Sequence, residues 1–154
     1  MATLTNLTNN RAASTFPAYN GNGGGNLCVA YGSYDFAVNP TIADVVEFCR
    51  LPKGAIVLGG HLRIEDIDTN AAETFDMDIG TAADPDAFGN FGARSGDAVT
   101  DYLPEGGTLL PLAGTLKDGP VSITAETVVI GTIVAACATF AAGTATVVVH
   151  YVTP

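Results

Sequence analysis

Two histidines, three cysteines and sixteen acidic residues are the side chains from which this 154-residue sequence could build chemistry. His61 lies in GGHLRIED and His150 in VVVHYV, and neither has the HxH or HExxH spacing that lets two imidazoles reach one metal ion. Both are expected to be packed or solvated rings. Ser33, Ser95 and Ser122 occur without a GxSxG elbow, and the glycine-rich NGNGGGN, Asn20–Asn26, lacks the strand-then-helix context of a phosphate loop. Cys28, Cys49 and Cys137 are far apart, with no CxxC pair and no histidine at ligand spacing. They read as buried apolar thiols of a chain made in a reducing cytoplasm.

The carboxylates are more suggestive. EDIDTN, Glu65–Asn70, and DMDIGTAADPDAFGN, Asp76–Asn90, gather the hard oxygen ligands that calcium prefers. However, Asp84-Pro85-Asp86 lacks the third acidic ligand and the final glutamate of an EF-hand loop, and Asp76 and Asp78 point to solvent from one strand. Asp66 and Asp68 could form the acid pair of a glycoside hydrolase, but no aromatic platform accompanies them and the sequence has no tryptophan. The expectation is a protein without catalytic residues, metal or cofactor, whose function is binding and not catalysis.

The bulk composition narrows the partners. A formal charge of -10, with no cluster of lysine or arginine, excludes an electrostatic surface for nucleic acid or anionic membrane. A partner should be neutral or basic where it touches. Only 14% of the residues are charged while 47% are hydrophobic, which suits a chain that buries extra surface in a homo-oligomer. The start, MATLTNLTNNRAAST, lacks a basic segment followed by an apolar one, so synthesis and folding in the cytosol are expected.

These residues need elements to hold them. Residues 1–26, rich in Thr, Asn, Ala and Gly, read as a flexible arm that orders against a partner through Leu4, Leu7, Phe16 and Tyr19 with the lone Arg11. A β-sandwich domain is expected over residues 27–154. Strand-like runs begin at Leu27 and are punctuated at Asn39-Pro40 and Pro52-Lys53-Gly54, with a bulge or corner at Gly59-Gly60. In ETFDMDIG, Phe75, Met77 and Ile79 alternate with Asp76 and Asp78, the period of a half-buried antiparallel strand. Thr41–Phe48 is the one stretch with a weak helical pattern. Residues 81–107 read as a long irregular excursion.

The uncharged run Val128–Val149 is long enough for a membrane helix, yet it has no leucine, is dense in Val, Thr and Ala, and is broken near Gly143. It is expected to form a hairpin of two strands, Val128–Thr139 and Thr144–Val152, buried on both faces. The whole is then all-β, a jelly-roll-like or Greek-key sandwich with a flexible N-terminal arm.

The succession DVVEFCRLPKGAIVLGGHLRIEDIDTNAAETFDMDIGTA, followed by an Asp/Gly-rich stretch and FAAGTATVVVHYV, resembles small structural proteins of tailed bacteriophages, including capsid decoration (cement) proteins. Asp44-Val45-Val46, Leu51–Ala55, Asp66–Asp68, Asp78-Ile79-Gly80, Ala142-Gly143-Thr144 and Tyr151-Val152 carry the resemblance. It implies a sandwich subunit, often trimeric, that binds the outer surface of an assembled head and strengthens it. The major capsid protein and further copies of the chain would be its partners, and the virion its location. A tail or neck accessory protein and a carbohydrate-binding β-sandwich are the alternatives.

Overall fold

The structure, a computed structural model, describes residues 27–92 and 108–153. Nine strands occupy them: β1 Leu27–Phe36, β2 Val45–Leu51, β3 Ile56–Ile64, β4 Asp76–Gly80, β5 Gly89–Gly92, β6 Thr108–Pro111, β7 Val121–Ser122, β8 Thr127–Ala135 and β9 Gly143–Val152. A short 3-10 helix spans Gly114–Asp118. One sheet has the order β1-β9-β3-β6, with β7 also pairing with β3, and the other has the order β2-β8-β4-β5. Every pairing is antiparallel. Setting the two-residue β7 aside, eight strands divide between the sheets as in a jelly roll, with the two longest apolar strands, β8 and β9, at interior positions.

Alternation builds the core. Along β4, Met77 and Ile79 are fully buried while Asp76 and Asp78 lie on the opposite face, as the period-two pattern requires. Val57, Leu62 and Ile64 of β3, Val129 and Ile133 of β8, and Ala145, Val147 and Val149 of β9 fill the space between the sheets. The Gly59-Gly60 corner is a bulge: the β3–β9 register shifts between Val57 and Gly59.

Two expectations are corrected. Val128–Val149 does form two strands, but not a hairpin, because β8 pairs with β2 and β4 while β9 pairs with β1 and β3 in the other sheet. The connection crosses between sheets. β9 is buried on one face, at Ala145, Val147 and Val149, while β8 buries Val129 and Ile133 on its inner face and Ile130 on its outer one. Thr41–Phe48 is not helical either. It is a turn followed by β2, held by the Asp44 side chain accepting from the Thr41 N–H at 2.8 Å, with Ala43 in the left-handed region at φ 72°. No helix of the described residues is long and apolar enough to cross a membrane.

One end of the sandwich is closed by a single carboxylate. Asp68, 0% exposed, sits in the β3–β4 connection. Its Oδ2 accepts the backbone N–H groups of Thr74 at 2.8 Å, Phe75 at 3.1 Å and Ala138 at 3.0 Å, and its Oδ1 that of Thr139 at 2.9 Å. Two sheet-crossing connections are thereby tied to one side chain. Asn39, from a third, clasps the Cys137 backbone, donating to its carbonyl at 3.0 Å and accepting from its N–H at 3.2 Å. Burial pushes the Asp68 carboxyl up, but the four N–H donors outweigh it and hold the group below the usual carboxylate value. Burial, and next the Asp68 charge, push the Cys137 thiol up to about 12, so it stays protonated.

Along the flank of the sandwich β1 lies hard against β2. A Cβ on Gly32 would overlap the Phe48 carbonyl oxygen, so only glycine allows this approach.

Three expected outcomes follow from this packing. Asp68→Asn can keep the three bonds to one oxygen but sets an amide N–H2 against the Thr139 N–H, and should lose about 2 kcal/mol in urea unfolding at pH 7. Because the folded pKa is depressed, this stabilisation is complete above the unfolded value of about 4 and is lost as pH falls through the folded pKa. The gap between wild type and variant should therefore narrow in acid. Gly32→Ala should cost about 1–3 kcal/mol in the same assay, since backbone has to move to admit the methyl group.

Candidate assembly surface

The chemistry-bearing residues singled out in the sequence do not converge. Among the described residues, no three His, Cys, Asp or Glu side chains come together as a metal site. Asp68 has its oxygens occupied by four N–H groups, which leaves it unsuited to acid-base work with Asp66. Asp76 and Asp78 share one partner, the Asn90 amide, which donates to them at 3.0 and 2.7 Å. Burial, then the Asp78 charge, push the Asp76 carboxyl up against the effect of that bond. Asp84 is exposed and raised by its hydrogen bond to Asp86. Cys49 is pushed up to about 11 by burial, as expected of a packed thiol. Leu4, Leu7, Arg11, Phe16 and Tyr19, the proposed anchors of the arm, lie outside the described residues.

The two histidines do meet. Their ring centroids are 6.1 Å apart, edge to face, on the outer side of the β1-β9-β3-β6 sheet. The register arranges their neighbours: Val29 lies opposite His150, Tyr31 opposite Val148, and Val148 opposite His61. Leu109 lies opposite Arg63. Five of the ten large apolar side chains left exposed among the described residues belong to this sheet's outer side, Leu27, Val29, Tyr31, Leu58 and Leu109, with Tyr31 72% exposed. The other five, Tyr34, Val38, Ile42, Val45 and Val134, cluster near the β1–β2 turn. There a groove of about 300 Å³ is lined by Tyr34, Phe36, Val38, Pro40, Asp44, Val45 and Val46.

The opposite outer face is of another character. Glu47, Thr132, Asp78 and Asn90 project from the β2-β8-β4-β5 sheet, with Asp76 beside them, and the exposed Arg50–Glu126 ion pair at 3.4 Å adds little. Val45, Ile130 and Val134 share that outer side with the carboxylates, while the other carries Leu27, Val29, Tyr31 and Leu109 with Ser33, Thr146, Arg63 and two imidazoles.

Sequence reasoning passed over this apolar face, although β1 carries a signal. In LCVAYGSYDF the large residues Leu27, Val29 and Tyr31 alternate with Cys28, Ala30 and Gly32. The small set points inward, where Gly32 meets the Phe48 backbone, and the large set points out. A strand that keeps its large apolar residues on the solvent side has an interaction face.

Comparison with known structures gives this geometry a context. The fold matches a chain of the cyanophage Pam1 capsid asymmetric unit with TM-score 0.68 and 31% identity, covering 97% of this chain and 98% of that one. It also matches the acidic stable capsid structure of Helicobacter pylori bacteriophage KHP30, at TM-score 0.60 and 16% identity over 85% of this chain and 90% of that one. The capsid of Ralstonia phage GP4 matches at TM-score 0.57 and 20% identity over 82% and 85%. Comparisons with protein-family models and with curated proteins give no match.

A jelly-roll sandwich with this likeness is a phage capsid-related structural protein. The chain belongs to the family of the cyanophage Pam1 capsid chain, which it matches over nearly its whole length.

The acidic face yields a prediction of opposite sign to that for Asp68. A carboxyl whose folded pKa is raised opposes folding when ionised, and the penalty fades as pH falls through that pKa. Asp76→Asn keeps an oxygen for Asn90 and should gain about 0.5 kcal/mol in urea unfolding at pH 7. The gain should vanish below about pH 4, where the wild-type carboxyl is neutral in both states.

Proposed function

We propose that the chain is a decoration (cement) subunit that binds the outer surface of an assembled phage head as a trimer and strengthens it, by binding and without catalysis. The observation that carries this reading is the 31% identity to a capsid chain over 97% of the sequence. The architecture supports it. A closed sandwich whose connections are tied by Asp68 and Asn39 is a stiff body, and stiffness is what a part that resists shell expansion needs. Residues 1–26 hold no Asp or Glu and a single Arg, a formal charge of +1, so the rest of the chain carries -11. A segment of that composition, with Leu4, Leu7, Phe16 and Tyr19 as apolar anchors and Arg11 as a cation, suits attachment to the major capsid protein. Weak contacts of each arm would add up through the effective concentration of a symmetric oligomer.

The test is co-sedimentation of the full chain with assembled heads, alongside a chain lacking residues 1–26, with imaging of the particles. Full-length protein should pellet in hundreds of copies per particle on the outer surface, while the shortened chain stays folded and in the supernatant. Undiminished binding of the shortened chain would remove the arm from the reading. Binding of only a few copies per particle would move the protein to the neck or tail.

A further inference from the structure

His61 and His150 are the two histidines of the whole chain, and the fold brings them together from strands far apart in sequence. In the β3–β9 ladder His61 lies opposite Val148 and His150 lies opposite Gly59, so the two are diagonal neighbours on the outer side of the sheet. Diagonal positions on one face are about 7–8 Å apart, a span that rings can bridge. Gly59 leaves the way open. It has no side chain, and a Cβ there would meet nothing within 4 Å, so the place across from His150 is free for the His61 ring to enter. The register shift between Val57 and Gly59 sets this diagonal. The ring centroids end 6.1 Å apart with 66° between the planes, and both residues are half-buried.

We propose that His61 and His150 form a two-imidazole site for a late first-row divalent ion such as zinc. A zinc–nitrogen bond of about 2.0–2.1 Å puts an imidazole centre about 3.2 Å from the ion, so two rings on one ion have centres about 4.5 Å apart at a right angle and about 6.4 Å apart in line. The observed 6.1 Å lies in that range. Side-chain rotation that closes it by about 1 Å gives the tetrahedral angle zinc favours. The donor set selects the ion. Neutral imidazole nitrogen suits zinc, nickel and copper, whereas calcium and magnesium require oxygen. On the other sides of the two histidines stand Val29, opposite His150, and Pro111, opposite His61, and neither side chain offers an oxygen. Among the described residues no third His, Cys, Asp or Glu completes a ligand set, so water fills the remaining positions and the ion exchanges readily. Arg63, next on the same side of β3, opposes a cation, but it is exposed and solvent screens its charge. An ion held here ties β3 to β9 in the middle of their sheet, and by binding the folded chain alone it stabilises the sandwich.

The test uses the full, untagged chain and zinc chloride alone. Because the chain has only these two histidines, every imidazole signal in its NMR spectrum belongs to the pair. Zinc should move the signals of both rings together, with one midpoint, and calcium chloride should leave them in place. In His61→Ala and in His150→Ala the remaining ring should need about 100-fold more zinc, since in the intact pair the second ring acts at a high effective concentration. Circular dichroism verifies that each variant is folded, and the wild-type titration gives an answer even where a variant is not. Rings that titrate separately overturn the inference, as does a wild type whose ring signals ignore zinc at millimolar concentration. A folded single-histidine variant that keeps the wild-type midpoint overturns it equally. Head binding plays no part in the measurement, so the outcome stands apart from the decoration reading.

Discussion

The four N–H bonds onto Asp68 are the interaction on which the rest of the sandwich depends. A jelly roll passes its chain back and forth between two sheets, so many of its connections cross an end of the core, where backbone polar groups have no ladder to join. One carboxylate meets four of these groups at once and links the start of β4 to the β8–β9 crossing. Ionisation serves the purpose, because an ionised carboxylate is an acceptor at every lone pair and its bonds to N–H are stronger than neutral ones. Burial disfavours the charge, the converging donors favour it, and the donors prevail. Burial, and next that charge, keep the nearby Cys137 a thiol.

With the ends closed, the two sheets are free to differ outside. Inside, both present Val, Ile, Leu, Met and Phe at alternate positions. Outside, the β2-β8-β4-β5 sheet carries Glu47, Asp76 and Asp78 among its apolar residues, and the β1 end of the other sheet carries Leu27, Val29 and Tyr31. Gly32 rests against the Phe48 backbone, so the first part of β1 keeps Cys28, Ala30 and Gly32 inside and Leu27, Val29 and Tyr31 outside, while Phe36 at its end enters the core.

The sequence by itself determined a good deal. Its alternation placed Phe75, Met77 and Ile79 in the core and Asp76 and Asp78 outside, its Gly59-Gly60 pair marked the bulge, and its β-branched C-terminal run marked strands instead of a membrane helix. The carboxylates, histidines and cysteines were legible as sets without ligand or catalytic spacing. These are local properties, governed by the period of a strand and by the reach of side chains along one segment.

Only the tertiary structure decided which strands pair. A short turn between two apolar strands reads locally as a hairpin, yet β8 and β9 enter different sheets, because the unpaired edges available to them belong to β2 and β4 on one side and to β1 and β3 on the other. Asp68 looks in sequence like one acid among several. Its role arises from donors six, seven, seventy and seventy-one residues further along the chain. The alternation of Leu27, Val29 and Tyr31 with Cys28, Ala30 and Gly32 is legible along the chain, but which set faces solvent depends on how close β2 comes, a distance between segments that no pattern within β1 contains.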